Sequence, residues 1–582
     1  MTERDALLTG AFHPALEDAL LSGLAEHARR EPGAPALVVV PTNLLGLRLS
    51  RRLAERIAAA APAARDEAGS TAPTAGHANV RFMTLKDLAA RHAPTPLPGG
   101  RALLPDGGDE VVLRRVLDGG GAAGGYFEPI ADRPGFARAL LSTIGDLKEA
   151  CYTPDALESA AVRAGLARPR RPSKLAEVVR VWRLYEALLE KEGWADERDM
   201  MTAAADALAS KGAGGRAAPL PPLFLYGFYD LNALQKRLVA ACCAATETRV
   251  YVPWADIAAF RYARPTLEWF ESLGLPREHV GEREGRDVPL PGAGDPGGAR
   301  PGRSAAAATL PISAPGEARE AREDARTLLG VLEERGLSFQ DAGVLLRSQG
   351  DYSDLFAEEL TQAGARPYVE TPCPLARTPA GRAALALVDA VASDFGRIEV
   401  MEFLGVADLA REGAPDAARR DRDDAPPVSD WNKASVLAGI VKGAGGWVGA
   451  LESLAASIEA APADGSFRTE HGHLARPIAS LIAILRELIP PLAGLAPGRG
   501  RTQAAEISAY ADAVEATLTR FAAREGLDEV LDTVSSLRAL APVAGPVTLS
   551  RFAELLREAL GAPQKRGEKF ESGGPAVLSL MS

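Results

Sequence analysis

The residues after the apolar segment Leu223–Tyr226 resemble a nucleotide site in their spacing but lack its metal-binding carboxylates. The segment Leu223–Tyr226 reads as a buried strand, and Asp230 and Gln235 follow it in a polar turn and the start of a helix. Sites that hydrolyse nucleotides use acidic side chains at such a strand end to hold Mg²⁺. Gly227 and Phe228 stand directly after this strand, and neither is acidic. The sequence therefore predicts the framework of a nucleotide site without its metal-binding carboxylates.

A phosphate-binding loop is also missing. Such a loop offsets the phosphate charge with backbone amides and with a lysine that is followed by serine or threonine. The candidate position is the segment Leu8–Leu16, in which Gly10 is followed by no lysine and Pro14 removes a backbone donor. No Gly-Lys-Ser or Gly-Lys-Thr sequence occurs anywhere in the chain. We therefore expect no ATP hydrolysis by these residues.

The composition is that of an ordinary globular protein. A chain of 582 residues is too long for one hydrophobic core, so we expect about three to five domains of roughly 100–200 residues. Hydrophobic residues make up 47% of the chain and charged residues 25%. The net charge of -11 gives no overall positive field that would attract nucleic acid. DNA binding would therefore require a local basic groove.

Neither a zinc site, a disulfide framework nor a membrane segment is indicated. The cysteines lack C-x-x-C spacing: Cys151, Cys242, Cys243 and Cys373. The N-terminus lacks the basic and apolar regions of a signal peptide. No run of about 18 apolar residues predicts a membrane span. We therefore expect a cytoplasmic protein with no membrane partner.

The first half of the chain alternates between α/β and helical patterns. The β-branched run Ala36–Thr42 predicts a strand, and the helix Leu44–Ala60 follows it at once. The segment Val80–Leu88 predicts a strand that enters a helix through Thr84 as a cap. From about 100 to 210 the pattern is almost purely helical, and strands return after it. A helical block between strands of one sheet predicts an insertion into an α/β domain.

A second α/β unit is predicted beyond a linker rich in glycine, proline and charge at 284 to about 308. Its expected strands and helices are 308–313, 316–335, 342–347, 351–363, a short strand near Tyr368, and helices from about 380 to 560. The last residues predict a new strand, and a chain that ends there would leave an unpaired edge. We interpret the chain as a fragment for this reason.

Segments along the whole chain have the order and character of known motifs. They are Val38–Thr42 with Arg48 and Leu53, Phe82–Leu88, Gly135–Ala150, Tyr185–Asp199, Tyr226–Asp230, Val250–Trp254, Gly343–Arg347, Pro374–Arg382 and Ala576–Ser582. In this order they resemble the AddB-type subunits of bacterial helicase–nuclease complexes, which are also classed as PD-(D/E)XK nuclease family proteins. Each motif alone is moderately specific, and the collinear order of all of them carries the resemblance.

The resemblance implies an α/β fold with the architecture of superfamily 1 helicases. Two RecA-like parallel-sheet domains would each carry a mostly helical insertion, and the second would be incomplete. The implied divisions are 1–100 and 216–283 (first RecA-like domain), 101–215 (first insertion), 284–307 (linker), 308–390 (second RecA-like domain), 391–570 (second insertion) and 571–582 (start of a return strand).

The resemblance also implies roles for individual residues. Positions that line the DNA strand in similar proteins correspond to Thr42, Arg48, Thr84, Lys86, Tyr229 and Gln235. A degenerate nucleotide site is implied at Gly10, Asp230 and Arg347. The residues themselves leave structural roles open, with Thr42 and Thr84 as helix caps, Tyr229 as a core aromatic and Arg347 as a surface residue at a strand end.

No catalytic or metal-binding residue is expected in this chain. The nuclease of the family needs Pro-Asp followed by Asp/Glu-x-Lys, whose carboxylates hold Mg²⁺ while the lysine positions water. The clearest match, Asp146-Leu147-Lys148, lies in a predicted helix without a correctly ordered Pro-Asp partner. In AddB-type proteins the nuclease, its Mg²⁺ and an iron–sulfur cluster lie in sequence corresponding to positions beyond residue 582.

These expectations combine into one functional hypothesis. The chain would be a non-motor, helicase-like subunit of a complex that resects DNA ends in double-strand break repair. It would grip single-stranded or forked DNA without hydrolysing ATP, alongside an AddA-like motor subunit. Two alternatives stay open: a DNA-free platform for protein assembly, and an active ATP-dependent helicase or exonuclease subunit.

Overall fold

The computed structural model divides the chain into two compact units, residues 1–311 and 312–582. The described residues are 5–31, 33–60, 79–133, 135–165, 173–212, 220–255, 258–281, 311–339, 342–347, 351–365, 367–369, 374–409, 428–462, 465–496, 504–562 and 576–579.

A parallel sheet forms the centre of the first unit. The strands of this unit are β1 (Ala6–Gly10), β2 (Ala36–Val39), β3 (Val80–Met83), β4 (Ala102–Leu103), β5 (Trp194–Ala195), β6 (Leu223–Tyr226), β7 (Thr248–Pro253) and β8 (Arg277–His279). Strands β4 and β5 pair with each other, and the other six form a sheet in the order β3-β2-β6-β7-β1-β8 with all neighbours parallel. Their carboxyl ends therefore meet at one edge. We call the residues that follow these strand ends the carboxyl edge.

Helices cover both faces of this sheet. The helices of the first unit are α1 (Glu17–Arg30), α2 (Asn43–Ala60), α3 (Leu85–His92), α4 (Gly108–Val116), α5 (Phe136–Glu149), α6 (Pro154–Arg163), α7 (Lys174–Glu192), α8 (Glu197–Gly212), α9 (Ala233–Ala245) and α10 (Arg264–Ser272). Along β2, Val38 packs in the core that contains Leu20 of α1 and Leu49 of α2. Its neighbours Leu37 and Val39 pack in the opposite core. The strand is therefore buried on both faces, as its continuous β-branched run predicts.

A buried charge network joins α5, α7 and the start of α8 within the helical block α4–α8, which lies between β3 and β6 in the chain. The Nζ atom of Lys148 lies 2.7 Å from Oδ2 of Asp196, 2.8 Å from Oδ1 of Asp199 and 2.9 Å from Oε1 of Glu186. Burial alone would lower the pKa of Lys148, but the three carboxylates, Asp196 foremost, raise the pKa above its ordinary value. The hydroxyl of Tyr185 also donates to Asp196, at 3.4 Å.

The second unit is mostly helical. Its strands are β9 (Gly343–Leu346), β10 (Tyr368–Val369), β11 (Ala504–Ala505), β12 (Val547–Thr548) and β13 (Ala576–Ser579). Its helices are α11 (Glu317–Arg335), α12 (Asp351–Gln362), α13 (Pro379–Ala392), α14 (Arg397–Val406), α15 (Val428–Leu437), α16 (Trp447–Ala460), α17 (Ser466–His471), α18 (Ala475–Leu488), α19 (Pro490–Ala493), α20 (Ile507–Phe521), α21 (Leu527–Ser536), α22 (Ala541–Ala544) and α23 (Leu549–Gly561). Helices α11 and α12 pack against β9 through Ala321, Ala325, Leu346, Phe356 and Leu360.

Two sequence expectations for the second unit are wrong. Strand β13 is the central strand of a three-stranded parallel sheet in the order β10-β13-β9, so it does not leave an unpaired edge as expected. Strand β13 lies between β9 and β10, which precede it by more than 200 residues in the sequence. The residues of β13 alone do not determine this pairing. The expected strand at 308–313 is also wrong where it is described, because residues 311–313 form no strand.

The expected class of the first unit is confirmed in its coarse form. The chain is a mostly helical α/β protein with a six-stranded parallel sheet, which is consistent with a RecA-like domain. The helix expected at 316–335 is α11, and the strand expected at 342–347 is β9. The linker expected at 284–307 lies outside the described residues. The second RecA-like domain and the division of the chain into seven segments stay predictions.

Replacing Lys148 should destabilise the first unit strongly. The substitution Lys148→Met leaves three carboxylates close together in a largely buried site, so we expect a loss of about 3–5 kcal/mol in the free energy of unfolding. Chemical denaturation measures this loss. The matched control is Lys86→Met, since Lys86 is half exposed and pairs with Glu197, and it should cost less than about 1 kcal/mol. Equal losses in the two variants would contradict the structural role of Lys148.

Candidate functional site

The carboxyl edge brings together residues from separate sequence motifs. Thr84 follows β3, Thr42 follows β2, Tyr229 follows β6, and Gly10 ends β1. The strand order places these positions in a row along one edge of the sheet. Neighbouring strands lie about 4.8 Å apart, so the row is short enough for one extended ligand to span it.

Thr42 and Arg48 both have protein partners. The Thr42 hydroxyl accepts a hydrogen bond from the Leu45 amide at 3.4 Å, so this side chain caps the start of α2. The Arg48 side chain is 57% exposed, and one of its terminal nitrogens lies 3.5 Å from Oε2 of Glu17. Thr42 therefore has the structural role that the sequence left open, while Arg48 keeps much of its guanidinium surface in solvent.

Thr84 and Lys86 stand at the start of α3. Thr84 forms a capping box with Asp87, in which the Thr84 hydroxyl accepts from the Asp87 amide at 3.3 Å and the Thr84 amide donates to the carboxylate at 3.0 Å. Lys86 is half exposed and lies 2.7 Å from Oε2 of Glu197 in the helical block. A surface pair of this kind contributes little stability, so the lysine can exchange its partner for a phosphate.

The residues after β6 join the sheet to the helical block. Gln235 and Asn232 form the capping box of α9, with each side chain accepting from the backbone amide of the other, at 2.8 and 3.1 Å. The Asn232 side chain also donates to Glu149 of α5 at 3.0 Å. Tyr229 and Asp230 between β6 and this cap are exposed. Gln235 therefore has a structural role. Tyr229 is exposed, so the alternative that it is a core aromatic is wrong.

Gly10 ends β1 at the position expected for a phosphate loop. Its carbonyl accepts a hydrogen bond from the Trp254 amide at 3.0 Å. A Cβ atom on Gly10 would lie 2.4 Å from the carbonyl oxygen of Val280, which no side chain tolerates. The close approach of the segment that follows β8 therefore explains why this position is glycine.

Phe12, two residues after Gly10, packs against the end of β6. The ring of Phe12 lies 5.2 Å from the ring of Tyr226, whose hydroxyl donates to the Phe12 carbonyl at 3.1 Å. Gly227 has a φ of +84°, and a Cβ atom there would lie 3.3 Å from Cε2 of Phe12. The glycine that replaces an acidic residue thus has a conformational and a packing reason.

A buried carboxylate lies in the first turn of α1. The side chain of Glu17 is 4% exposed, and its oxygens lie 3.5 Å from both Arg48 and Arg52 of α2. Burial raises the pKa of Tyr226, and the negative charge of Glu17 raises it further. The π-helical turn Phe12–Leu16 runs into α1 without a break, so Glu17 lies one turn beyond the N-terminal end of the helix at Phe12.

The remaining predicted residues belong to other elements. Arg347 follows β9 in the second unit and is exposed. Lys148 of the Asp146-Leu147-Lys148 segment is held by three carboxylates inside the helical block. Among the described residues, no cluster of three His, Cys, Asp or Glu side chains could hold a metal ion. Burial raises the pKa of the Cys242 thiol to about 12.

Sequence reasoning missed two features of the edge. Glu17 was not identified, because its partners are 31 and 35 positions away in the chain. Tyr262 was also missed; its ring centroid lies 5.3 Å from that of Tyr229, and the interplanar angle is 90°. The available signal was the sequence Phe260-Arg261-Tyr262 shortly after a strand end.

Comparison with known proteins gives one weak similarity. No protein-family model matches the chain. The chain is 25% identical over 356 residues to a protein of Moorella thermoacetica named as a subunit of an ATP-dependent helicase/deoxyribonuclease, a match that covers 56% of this chain. The chain spans about 30% of the length of that relative. This similarity supports an AddB-like relationship and nothing closer.

The described helices include none that is both long and apolar enough to cross a bilayer.

The contact between Phe12 and Gly227 should contribute to the free energy of unfolding. Gly227→Ala forces a positive φ on alanine and brings its Cβ against the Phe12 ring, so the loss should exceed the roughly 1–2 kcal/mol of the backbone term alone. Gly193→Ala is the control, since Gly193 has a φ of +74° with no atom within 4 Å of the added Cβ. Chemical denaturation compares the two. Equal losses would mean that the Phe12 contact has no energetic role.

Proposed function

We propose that this chain is a helicase-like subunit of a DNA-processing helicase–nuclease complex, and that it holds DNA without hydrolysing ATP. The name of its relative describes a subunit of a helicase and deoxyribonuclease. The name supports a role in a DNA-directed complex, and a subunit implies at least one partner subunit. By resemblance, the partner would be an AddA-like motor, and the process would be resection of DNA ends in double-strand break repair.

The observation that carries the proposal is the row of residues along the carboxyl edge. Lys86 and Arg48 present cationic groups that are half exposed, and Tyr229 presents an exposed ring. These groups supply the phosphate and base contacts that single-stranded nucleic acid requires. They come from segments far apart in sequence that the parallel sheet places side by side.

The centre of the edge supports independence from ATP. A phosphate cradle needs free backbone amides and a cation. Here the Phe12 ring lies over Gly227, and Glu17 brings a buried negative charge to the first turn of α1. A phosphate at this turn would have to displace the Glu17 carboxylate from Arg48 and Arg52.

The wider architecture belongs to the same proposal. We infer a second RecA-like domain from the parallel sheet β10-β13-β9 with α11 and α12, and helical insertions from α4–α8 and from the helices that follow α12. A Mg²⁺-dependent nuclease and an iron–sulfur cluster, if this protein has them, would belong to sequence beyond these residues.

An ATP-dependent activity is the second candidate. It is favoured by one observation, the words "ATP-dependent" in the name of the relative. Because the chain spans about 30% of that relative, the name does not say which part of the relative uses ATP.

Binding of labelled single-stranded and forked DNA, followed by fluorescence anisotropy at several salt concentrations, tests the proposal. The affinity should fall steeply with salt, because phosphate contacts release counterions. Lys86→Ala should weaken binding and reduce the salt slope by about 0.7, the value for one contact on a single strand.

Lys433→Ala is the matched control, since Lys433 is also an exposed lysine with one carboxylate partner, Asp430 at 3.6 Å, but belongs to α15. It should leave affinity and slope unchanged. Absence of salt-dependent binding to either DNA would contradict the proposal and favour a platform for protein assembly.

A further inference from the structure

Four consecutive charged residues, 196–199, stand around the start of α8, and each has an ion-pair partner in another element. Oxygens of Asp196 and Asp199 lie 2.7 and 2.8 Å from Nζ of the largely buried Lys148. Arg198 lies 3.1 Å from Oε1 of Glu149, at the end of α5. These pairs hold the residues on both sides of position 197, so the backbone there is fixed within the helical block.

Glu197 reaches from this fixed segment to the carboxyl edge. Its Oε2 atom lies 2.7 Å from Nζ of Lys86, which stands in the first turn of α3, shortly after the end of β3. The side chains of Glu197 and Lys86 are 40% and 47% exposed, so both are accessible to a ligand at that edge. Lys86 is a cation that the proposed function places against the DNA backbone, and in this structure Glu197 holds it.

A phosphate that binds Lys86 has to take the place of this carboxylate. An exposed ion pair contributes little stability, so the exchange is possible. Because its neighbours are tied to Lys148 and Glu149, Glu197 cannot move far from the lysine that it releases. Its negative charge then lies close to the phosphate and repels it. The pair between Glu197 and Lys86 therefore opposes DNA binding at this position.

We propose that Glu197 is a fixed competitor for the DNA phosphate at Lys86, and that it limits the affinity of this chain for single-stranded DNA. The inference rests on the proposed function and adds to it a residue that weakens the contact. Glu197 acts through Lys86 and needs no contact with DNA itself. Release of the strand is easier in this arrangement, because the carboxylate returns to the lysine as the phosphate leaves.

Fluorescence anisotropy with labelled oligothymidine tests the proposal on the full chain. Glu197→Gln removes the charge and keeps the shape of the side chain, so the affinity at low salt should rise about three- to fivefold. The gain should shrink as salt is raised, because salt screens exposed charges. Glu197→Asp keeps the charge and should keep the affinity of the unmodified chain. In the Lys86→Ala background the gain from Glu197→Gln should be smaller, because the lysine that the carboxylate competes for is gone.

Glu271→Gln is the matched control. The side chain of Glu271 is 39% exposed and lies 2.8 Å from Arg277, which is 41% exposed. Arg277 begins β8, so this pair lies at the amino end of the sheet, and removing its negative charge should leave the affinity unchanged.

The proposal is overturned if DNA binds and Glu197→Gln raises the affinity no more than Glu271→Gln does. If neither the unmodified chain nor Glu197→Gln binds oligothymidine, the proposed function itself fails, and this inference fails with it.

Discussion

The ring of Phe12 rests on Gly227 at the centre of the carboxyl edge, and the arrangement of the edge depends on this contact. It needs a residue without a side chain at a φ of +84°, so an acidic residue does not fit there. The Tyr226 hydroxyl donates a hydrogen bond to the Phe12 carbonyl and holds it in place. The space in which a nucleotide-binding fold would hold phosphate is thus lined by an aromatic ring, with the buried Glu17 carboxylate in the helix turn that follows.

This closure gives the edge a filled centre and leaves exposed groups around it. At the ends of β3 and β2, Thr84 and Thr42 cap helices and leave Lys86 and Arg48 at the surface. After β6 and β7, Tyr229 and Tyr262 are exposed next to the turn that Asn232 ties to the helical block. The side-chain caps of α2, α3 and α9 satisfy backbone donors at the helix starts next to Arg48, Lys86 and Tyr229.

The sequence predicts this structure where the signal is local. The strand–helix units around β2 and β3 follow from β-branched runs and a Thr cap, and the missing lysine near Gly10 needs no structure to be seen. Contacts between distant segments were not predictable in this way. The ion pairs of Glu17 with α2, the meeting of Tyr229 with Tyr262 and the insertion of β13 between β9 and β10 arise only when the chain folds. For the same reason, Thr42, Thr84 and Gln235 could be placed at helix starts, but their contacts could not be assigned.

The central claim is that DNA binding by this chain does not depend on ATP. The most direct measurement is the affinity for single-stranded DNA with and without saturating Mg²⁺–ATP at constant ionic strength. The filled centre of the edge predicts the same dissociation constant in both conditions. A change in that constant on adding Mg²⁺–ATP would require a nucleotide site coupled to DNA binding and would contradict the account.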